Sequence, residues 1–206
     1  MARLFSFRPA LSFEGRRFRG VRGWAGKPSH PPLTDIPIAC YILVAVFDVL
    51  SYLTHGDAGD VSSFSHDAFV AGTFVIISGA IVSLGTITTG FWDWWKGIPR
   101  RKAGFLGKAH HTQVWRTINT HATVMVTVTV LVVIDIVVRL GSDAGYATLG
   151  ITILSVLAGL LVTMGAAYGG SLVFDYQFNV EDVSNSTVWD ETEVDQTHAD
   201  RAKPKG

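Results

Sequence analysis

The sequence predicts an all-α protein built as a bundle of four transmembrane helices. Of its 206 residues, 48% are hydrophobic and only 17% are charged, whereas roughly 25% of the residues of a soluble domain are charged. Four apolar stretches are each long enough to cross a bilayer, which takes roughly 20 residues. The charged residues, which sum to zero net charge, lie mainly between and around these stretches. These observations argue against a disordered chain and against an ordinary soluble enzyme.

The four predicted helices follow one another along the chain. They cover about residues 36–53, 68–92, 117–138 and most of 144–174. The first contains one charged residue, Asp48, and the third contains His121 and Asp135. The second and the fourth contain no charged residue. Four such stretches leave too little polar chain to cover them in water, so we interpret them as membrane spans.

The connecting segments differ in charge, and this difference predicts the orientation. Residues 94–116 carry six Lys or Arg and no acid, whereas residues 54–67 carry three acids and no base. Residues 1–30 carry seven Lys or Arg and one acid. Because positive segments stay on the cytoplasmic side, we expect a protein of the cytoplasmic (plasma) membrane with both ends of the chain in the cytoplasm.

Three regions follow from this pattern. We predict a basic cytoplasmic arm over residues 1–30, a four-span membrane domain over 31–176 and an acidic, flexible cytoplasmic tail over 177–206. The arm fits anionic lipid or an acidic partner, and no motif points to nucleic acid. The single cysteine, Cys40, excludes an internal disulfide, a covalent c-type haem and a cysteine-ligated iron–sulfur cluster within this chain.

Small residues at four-residue spacing predict where the helices pack together, because helices in lipid associate through close contacts of small side chains. The second span has Gly79 and Ser83, followed by Gly85 and Gly90. The fourth span has the pairs Ser155-xxx-Gly159 and Gly165-xxx-Gly169. The same residues would also suit a homodimer contact, and the sequence does not separate the two.

Two acidic residues lie inside the predicted spans, where ionisable groups are rare and often functional. Asp48 and Asp135 are predicted at similar depth in the outer half of the membrane. A low-dielectric interior disfavours unpaired charged carboxylates. The two acids could therefore share a proton, or each could be protonated and bond to a neighbouring helix.

Several further polar residues are expected together near the cytoplasmic side. His121 is the only histidine inside a predicted span. His30 precedes the first span in the segment SHPPL, where Ser29 could cap the helix and proline suits its first turn. The other members are Asp93 at the end of the second span, Arg116 and Asn119 at the start of the third, and His110 and His111 in the preceding loop.

Two histidines from different helices are what a b-type haem needs as axial ligands. His30 with His121 is the preferred pair, and His110 or His111 is the substitute for His30. The alternative is structural, with each histidine hydrogen-bonded to a neighbouring helix. Because the other spans contain no internal histidine, an arrangement with two haems is not expected.

At these residues the sequence resembles the bacterial integral membrane family known as domain of unknown function 2231, over roughly residues 28–180. Its opening motif matches His30-Pro31 with Leu33, Ile36-Pro37-Ile38-Ala39 and then Asp48. Its later motifs match Gly90-Phe91-Trp92-Asp93-Trp94, Arg116 with Asn119 and His121, and Gly169-Gly170-Ser171-Leu172-Val173. The sequence departs from the family pattern at Met125, where asparagine is common, and in having the His110–His111 pair.

The resemblance implies a four-span protein of the cytoplasmic membrane. Relatives linked to Rieske-type iron–sulfur domains further imply an electron-transfer setting with a redox partner. The leading hypothesis is therefore a membrane subunit that binds one b-type haem. The alternatives are a non-redox scaffold that binds other membrane proteins, and a proton or small-solute pathway along Asp48 and Asp135. No P-loop, dinucleotide fingerprint or nucleophile elbow is present, so the sequence favours no enzymatic reaction.

Overall fold

The computed structural model of the protein describes residues 29–56, 61–97 and 112–180, and these residues form four α-helices. The helices are α1 (His30–Leu53), α2 (Ser63–Gly97), α3 (Gln113–Leu140) and α4 (Leu149–Phe174). All four are long and apolar enough to cross a membrane. The predicted all-α architecture with four helices is therefore confirmed. α1 begins before its predicted apolar stretch, and α2 and α3 extend beyond theirs at both ends.

The helices form an up-and-down bundle with one loose contact. α1 packs closely on α2 and α4, and α4 packs closely on α3, whereas α2 and α3 make few contacts. α1 and α3 lie on a diagonal of the bundle and run in the same direction. This direction follows from two pairs of contacts, because His30 lies level with His121 and Asp48 lies level with Arg139.

The interior and the outside of the bundle are both apolar, as expected for a protein whose outer surface contacts lipid. Seven buried residues form the central cluster: Tyr41, Val44, Ile76, Val128, Val132, Ala158 and Val162. Large apolar side chains also cover the outside, among them Phe74, Ile81, Val137 and Leu160. Hydropathy therefore identifies the spans but cannot by itself tell which face of a helix points inward.

Small residues mark the close helix contacts, as predicted. A Cβ atom on Gly79 would lie 2.7 Å from the Cβ of Cys40, so α1 and α2 can approach only with glycine there. A Cβ on Gly159 would lie 3.3 Å from the carbonyl oxygen of Tyr41, which brings α4 against α1. Gly85 differs, because its nearest neighbour is Leu33 Cδ1 at 3.9 Å.

The start of α1 differs from the prediction in two ways. His30 is the first residue of the helix rather than a residue before it, and Ser29 occupies the N-cap position without making a side-chain capping bond. The prolines that follow do lie in the first turn, where a missing N–H costs nothing. In contrast, α3 has a side-chain cap, since the Thr112 hydroxyl accepts a hydrogen bond from the Trp115 N–H at 3.1 Å.

A buried hydrogen-bond network joins the α1–α2 connection to the α3–α4 connection, at the end of the bundle away from His30. The Ser51 hydroxyl donates to the carbonyl of Ser65 at 2.9 Å, and the Ser65 hydroxyl donates to the carbonyl of Ser51 at 2.7 Å. The Ala147 N–H donates to the Ser51 hydroxyl at 3.0 Å. These bonds connect the end of α1, the start of α2 and the turn before α4.

The chain after α4 packs on the bundle as far as the structure describes it. The Phe178 N–H donates to the Leu172 carbonyl at 2.8 Å, and the Phe178 ring lies against Gly97 at the end of α2. Residues 177–180 are thus held against the membrane domain, although residue 177 is the predicted start of the tail.

Candidate functional site

The structure brings His30 and His121 together across the diagonal of the bundle. Their ring centroids are 6.4 Å apart, and the two ring planes are nearly perpendicular, at 84°. His30 comes from the first turn of α1, and His121 from the third turn of α3. The predicted pair is therefore a contact in the folded protein, and His30 reaches the depth of His121 because it is part of the helix.

Each of these rings is held by a backbone carbonyl of the next helix. His30 Nδ1 lies 3.0 Å from the carbonyl oxygen of Thr86 on α2, and His121 Nδ1 lies 2.8 Å from that of Gly165 on α4. A carbonyl oxygen only accepts, so each Nδ1 carries the proton and donates. In the neutral imidazole the lone pair then remains on Nε2, which is the arrangement typical of histidines that bind metals.

A glycine lies beside each of the two rings. A Cβ atom on Gly90 would lie 2.5 Å from His30 Cε1, and one on Gly169 would lie 3.2 Å from His121 Cε1. Any side chain at Gly90 would displace the His30 ring. A side chain at Gly169 would require a smaller shift of the His121 ring. These glycines allow the helix backbones to approach the two imidazoles.

The separation of the two imidazoles is compatible with one metal ion bound between them. Two imidazole nitrogens that bound one metal ion from opposite sides at about 2.0–2.1 Å would place the ring centroids roughly 6 Å apart, and the observed separation is 6.4 Å. Each imidazole can rotate about its metal–nitrogen bond, so perpendicular planes are compatible with one shared metal. Within residues 29–56, 61–97 and 112–180, no three His, Cys, Asp or Glu side chains form a metal cluster.

The other predicted residues of this end are partly brought together. Asp93 is buried on α2, whereas Arg116 is exposed on the first turn of α3. The Asn119 side chain accepts a hydrogen bond from the Trp94 indole at 3.2 Å and donates to the Trp115 carbonyl at 2.7 Å. His110 and His111 lie outside the described residues.

An open cleft lies where α2 and α3 separate. It is lined by Trp94, Asn119, Ala122, Thr123, Val126 and Thr127. At 100° per residue these α3 positions lie about 100–160° around the helix from His121, and neither His30 nor His121 lines the cleft. The Thr123 and Thr127 hydroxyls donate to carbonyls one turn back, at 2.8 and 3.0 Å, as expected for threonine in a membrane helix.

A second polar cluster occupies the other end of the bundle, and its centre is Arg139. The guanidinium donates to both carboxylate oxygens of Asp48, at 3.0 and 2.5 Å. It also donates to Asp135, with contacts of 3.1 and 3.2 Å to Oδ1. The two predicted acids do lie at one level, but the group between them is an arginine.

This ion cluster is completely enclosed. Asp48 and Asp135 are 0% exposed and Arg139 is 2% exposed. Arg139 lies over the ring of Phe69, 5.1 Å from its centroid, and contacts the Thr73 hydroxyl at 3.4 Å. Among the described residues, every buried side-chain nitrogen or oxygen has a hydrogen-bond partner, which is the condition for burying charge at acceptable cost.

Arg139 is the residue that sequence reasoning did not identify. It lies near the predicted end of the third span, where a basic residue normally reaches the membrane surface. One signal was available, since Arg139 follows Asp135 by four residues and such pairs lie on the same face of a helix. The partner on α1 could not be assigned without the packing of the helices.

The comparisons with known proteins agree with this architecture. No protein of curated function and no solved structure matches the chain. The family model described as predicted membrane protein DUF2231 matches residues 26–182, which include all four helices and both polar clusters. The chain therefore belongs to the DUF2231 family of predicted membrane proteins.

Proposed function

We propose that the protein is a membrane subunit of an electron-transfer system and that it holds one b-type haem through His30 and His121. The observation that carries this proposal is the geometry of the two rings. They are 6.4 Å apart, and each Nδ1 is engaged by a backbone carbonyl. Cofactor sites of helical bundles are commonly built in this way, from side chains on facing helices.

The residues of the chain would hold and orient the group. The Thr86 and Gly165 carbonyls fix the tautomer and the direction of each imidazole, and such second contacts strengthen a ligand nitrogen. Gly90 and Gly169 keep side chains away from the rings. A haem iron held by two imidazoles supplies reversible one-electron transfer.

The ligand set favours electron transfer over catalysis at the iron. Catalytic metal sites keep one coordination position open for substrate or water. His30 and His121 together would hold a haem iron through two protein ligands and would leave no position open for a substrate. The site also lies at the start of α1 and near the start of α3, close to the membrane surface where a redox partner can approach.

The test is the absorption spectrum of the full chain, expressed with ample haem and purified in detergent. We expect a Soret band and the sharp visible bands of low-spin haem in the reduced protein. His30→Ala and His121→Ala are each expected to lose the low-spin bands. His66→Ala is the matched control, because His66 is exposed and its Nδ1 also contacts a backbone carbonyl, that of Gly145, at 2.9 Å.

Two results would overturn the proposal. One is a colourless wild-type protein after haem-replete expression and after addition of haemin to the purified protein. The other is a spectrum that His121→Ala leaves unchanged. Either result would favour the alternative of a non-redox scaffold. In such a scaffold the two imidazoles would only fasten α1 to α2 and α3 to α4 through the carbonyl contacts.

A further inference from the structure

The two halves of the membrane domain carry the same local arrangement around their histidine. In the first half, His30 on α1 contacts the Thr86 carbonyl, and Gly90, four residues later on α2, lies against the ring. In the second half, His121 on α3 contacts the Gly165 carbonyl, and Gly169 lies against that ring. In both halves the glycine follows the contacted carbonyl by four residues on the second helix.

The correspondence continues to the other end of the bundle. Asp48 follows His30 by 18 residues, and Arg139 follows His121 by 18 residues. Eighteen residues are about five helical turns and about 27 Å, so both members of each pair lie on the same face of their helix. The residues that match in this alignment, Asp48 and Arg139, are also the two that form the ion pair across the diagonal.

The burial pattern matches in the same alignment. A shift of 91 residues places four buried residues of α1 on four buried residues of α3: Pro37 on Val128, Tyr41 on Val132, Val44 on Asp135 and Asp48 on Arg139. A shift of 79 residues, taken from Thr86 and Gly165, does the same for the second helices. Five buried residues of α2 then fall on buried residues of α4: Gly72 on Ile151, Ile76 on Ser155, Gly79 on Ala158, Ser83 on Val162 and Asp93 on Leu172.

Helical periodicity alone would align two burial patterns in about one register out of four. The register used here was set beforehand by the histidine, carbonyl and glycine contacts, so the match in burial is an independent agreement. The side chains themselves differ at most of these positions, which explains why the repeat is not evident in the sequence.

We infer that α1–α2 and α3–α4 are two copies of one helical hairpin, related by an approximate two-fold axis along the bundle, and that each copy supplies an equivalent half of the site between His30 and His121. The ligand class that fits is one with two equivalent coordination positions on opposite sides, such as a planar metal macrocycle. The identity of this ligand rests on the proposed function, whereas the repeat does not.

The two halves depart from symmetry at one pair of matching positions on α2 and α4. Gly159 lets α4 approach α1, since a Cβ there would lie 3.3 Å from the Tyr41 carbonyl oxygen. The matching position on α2 is Ala80. Ala80 carries a methyl group at this position, and α2 and α3 make few contacts.

The repeat is tested without any cofactor by distances between spin labels in the full chain, reconstituted in lipid. Val46 with Phe74, and Val137 with Ile153, are matched exposed pairs in the two hairpins. We expect overlapping distance distributions for the two pairs. Val137 with Leu160 is the control, because it is seven residues out of register on α4 and is expected to give a longer distance. Distributions of the matched pairs that do not overlap would overturn the repeat.

The equivalence of the half-sites is tested on haem-loaded protein with His30→Ala and His121→Ala. We expect both variants to lose the low-spin bands to the same extent and added imidazole to restore both. If one variant keeps the bands while the other loses them, the half-sites are not equivalent although haem binds. If no haem binds to the wild-type protein, the proposed function and the ligand class fail together, and the spin-label distances still decide the repeat.

Discussion

Arg139 on α3 donates hydrogen bonds to both carboxylate oxygens of Asp48 on α1, the helix diagonally opposite in the bundle. α1 and α3 are not closely packed neighbours, so this buried pair is a major direct connection between them at that end. The histidine pair connects the same two helices at the other end. The diagonal is thus held by polar contacts at both ends and by apolar packing between them.

Replacing Arg139 by methionine is expected to destabilise the protein strongly. The change leaves two fully buried carboxylates without a counter-charge, and breaking a buried pair in this way costs about 3–5 kcal/mol. Thermal unfolding in detergent measures the effect. Arg116→Met is the matched control, since Arg116 is exposed on the same helix. Equal melting temperatures for the two variants would contradict the role given to Arg139.

The two acids beside Arg139 are expected to differ in their contributions. Asp48 binds the guanidinium with two parallel contacts of 3.0 and 2.5 Å, whereas the contacts of Asp135 are 3.1 Å or longer. Either substitution to Asn leaves the arginine paired with one carboxylate. Asp48→Asn removes the bidentate contact and should therefore lower the melting temperature more than Asp135→Asn. A larger effect of Asp135→Asn would show that the ranking is wrong.

Gly90 and Gly85, both on α2, provide a sharp test of the packing around His30. Gly90→Ala places a Cβ 2.5 Å from His30 Cε1, whereas Gly85→Ala meets nothing closer than 3.9 Å. Overpacking of this kind costs about 1–3 kcal/mol, so we expect a clear loss of thermal stability for Gly90→Ala and little change for Gly85→Ala. The prediction fails if both substitutions are tolerated equally.

Tyr41 and Ser83 form a buried hydrogen bond of 2.7 Å between α1 and α2. Tyr41→Phe or Ser83→Ala alone leaves the other hydroxyl without its partner, which costs about 1–3 kcal/mol. The double variant removes both polar groups, so its loss of stability should be smaller than the sum of the single losses. Additive losses in this double-mutant cycle would mean that the two hydroxyls do not interact.

The orientation in the membrane is predicted from charge and can be measured by thiol labelling in intact cells. In a Cys40→Ala background, Ser63→Cys at the start of α2 should react with a membrane-impermeant reagent added outside. Gln113→Cys at the start of α3 should react only after the cells are permeabilised. Both positions are exposed. The reverse pattern of labelling would place residues 1–30 and 177–206 outside the cytoplasm.

Much of this protein follows from the sequence by itself. Low charge and four long apolar stretches determine the class and the number of helices, because a bilayer accepts only segments that satisfy their own backbone hydrogen bonds. Small residues such as Gly79 and Gly159 could be predicted as contact points, and each helix could be located, although several of the predicted ends differ by five or six residues from the observed ones.

The composition of the two polar clusters could be predicted only in part. His30, His121, Asp48 and Asp135 stand out because ionisable groups are rare at membrane depth. Arg139 does not stand out, because a basic residue near the end of a span normally extends to the interface.

The tertiary structure alone decided the partners of these residues. Apolar side chains cover both the inside and the outside of the bundle, so hydropathy does not reveal which helix faces which. The contacts of His30 with Thr86, of His121 with Gly165 and of Arg139 with Asp48 join residues 44 to 91 positions apart. They depend on the rotation and depth of whole helices, which are set by packing of small residues against their neighbours and not by local sequence.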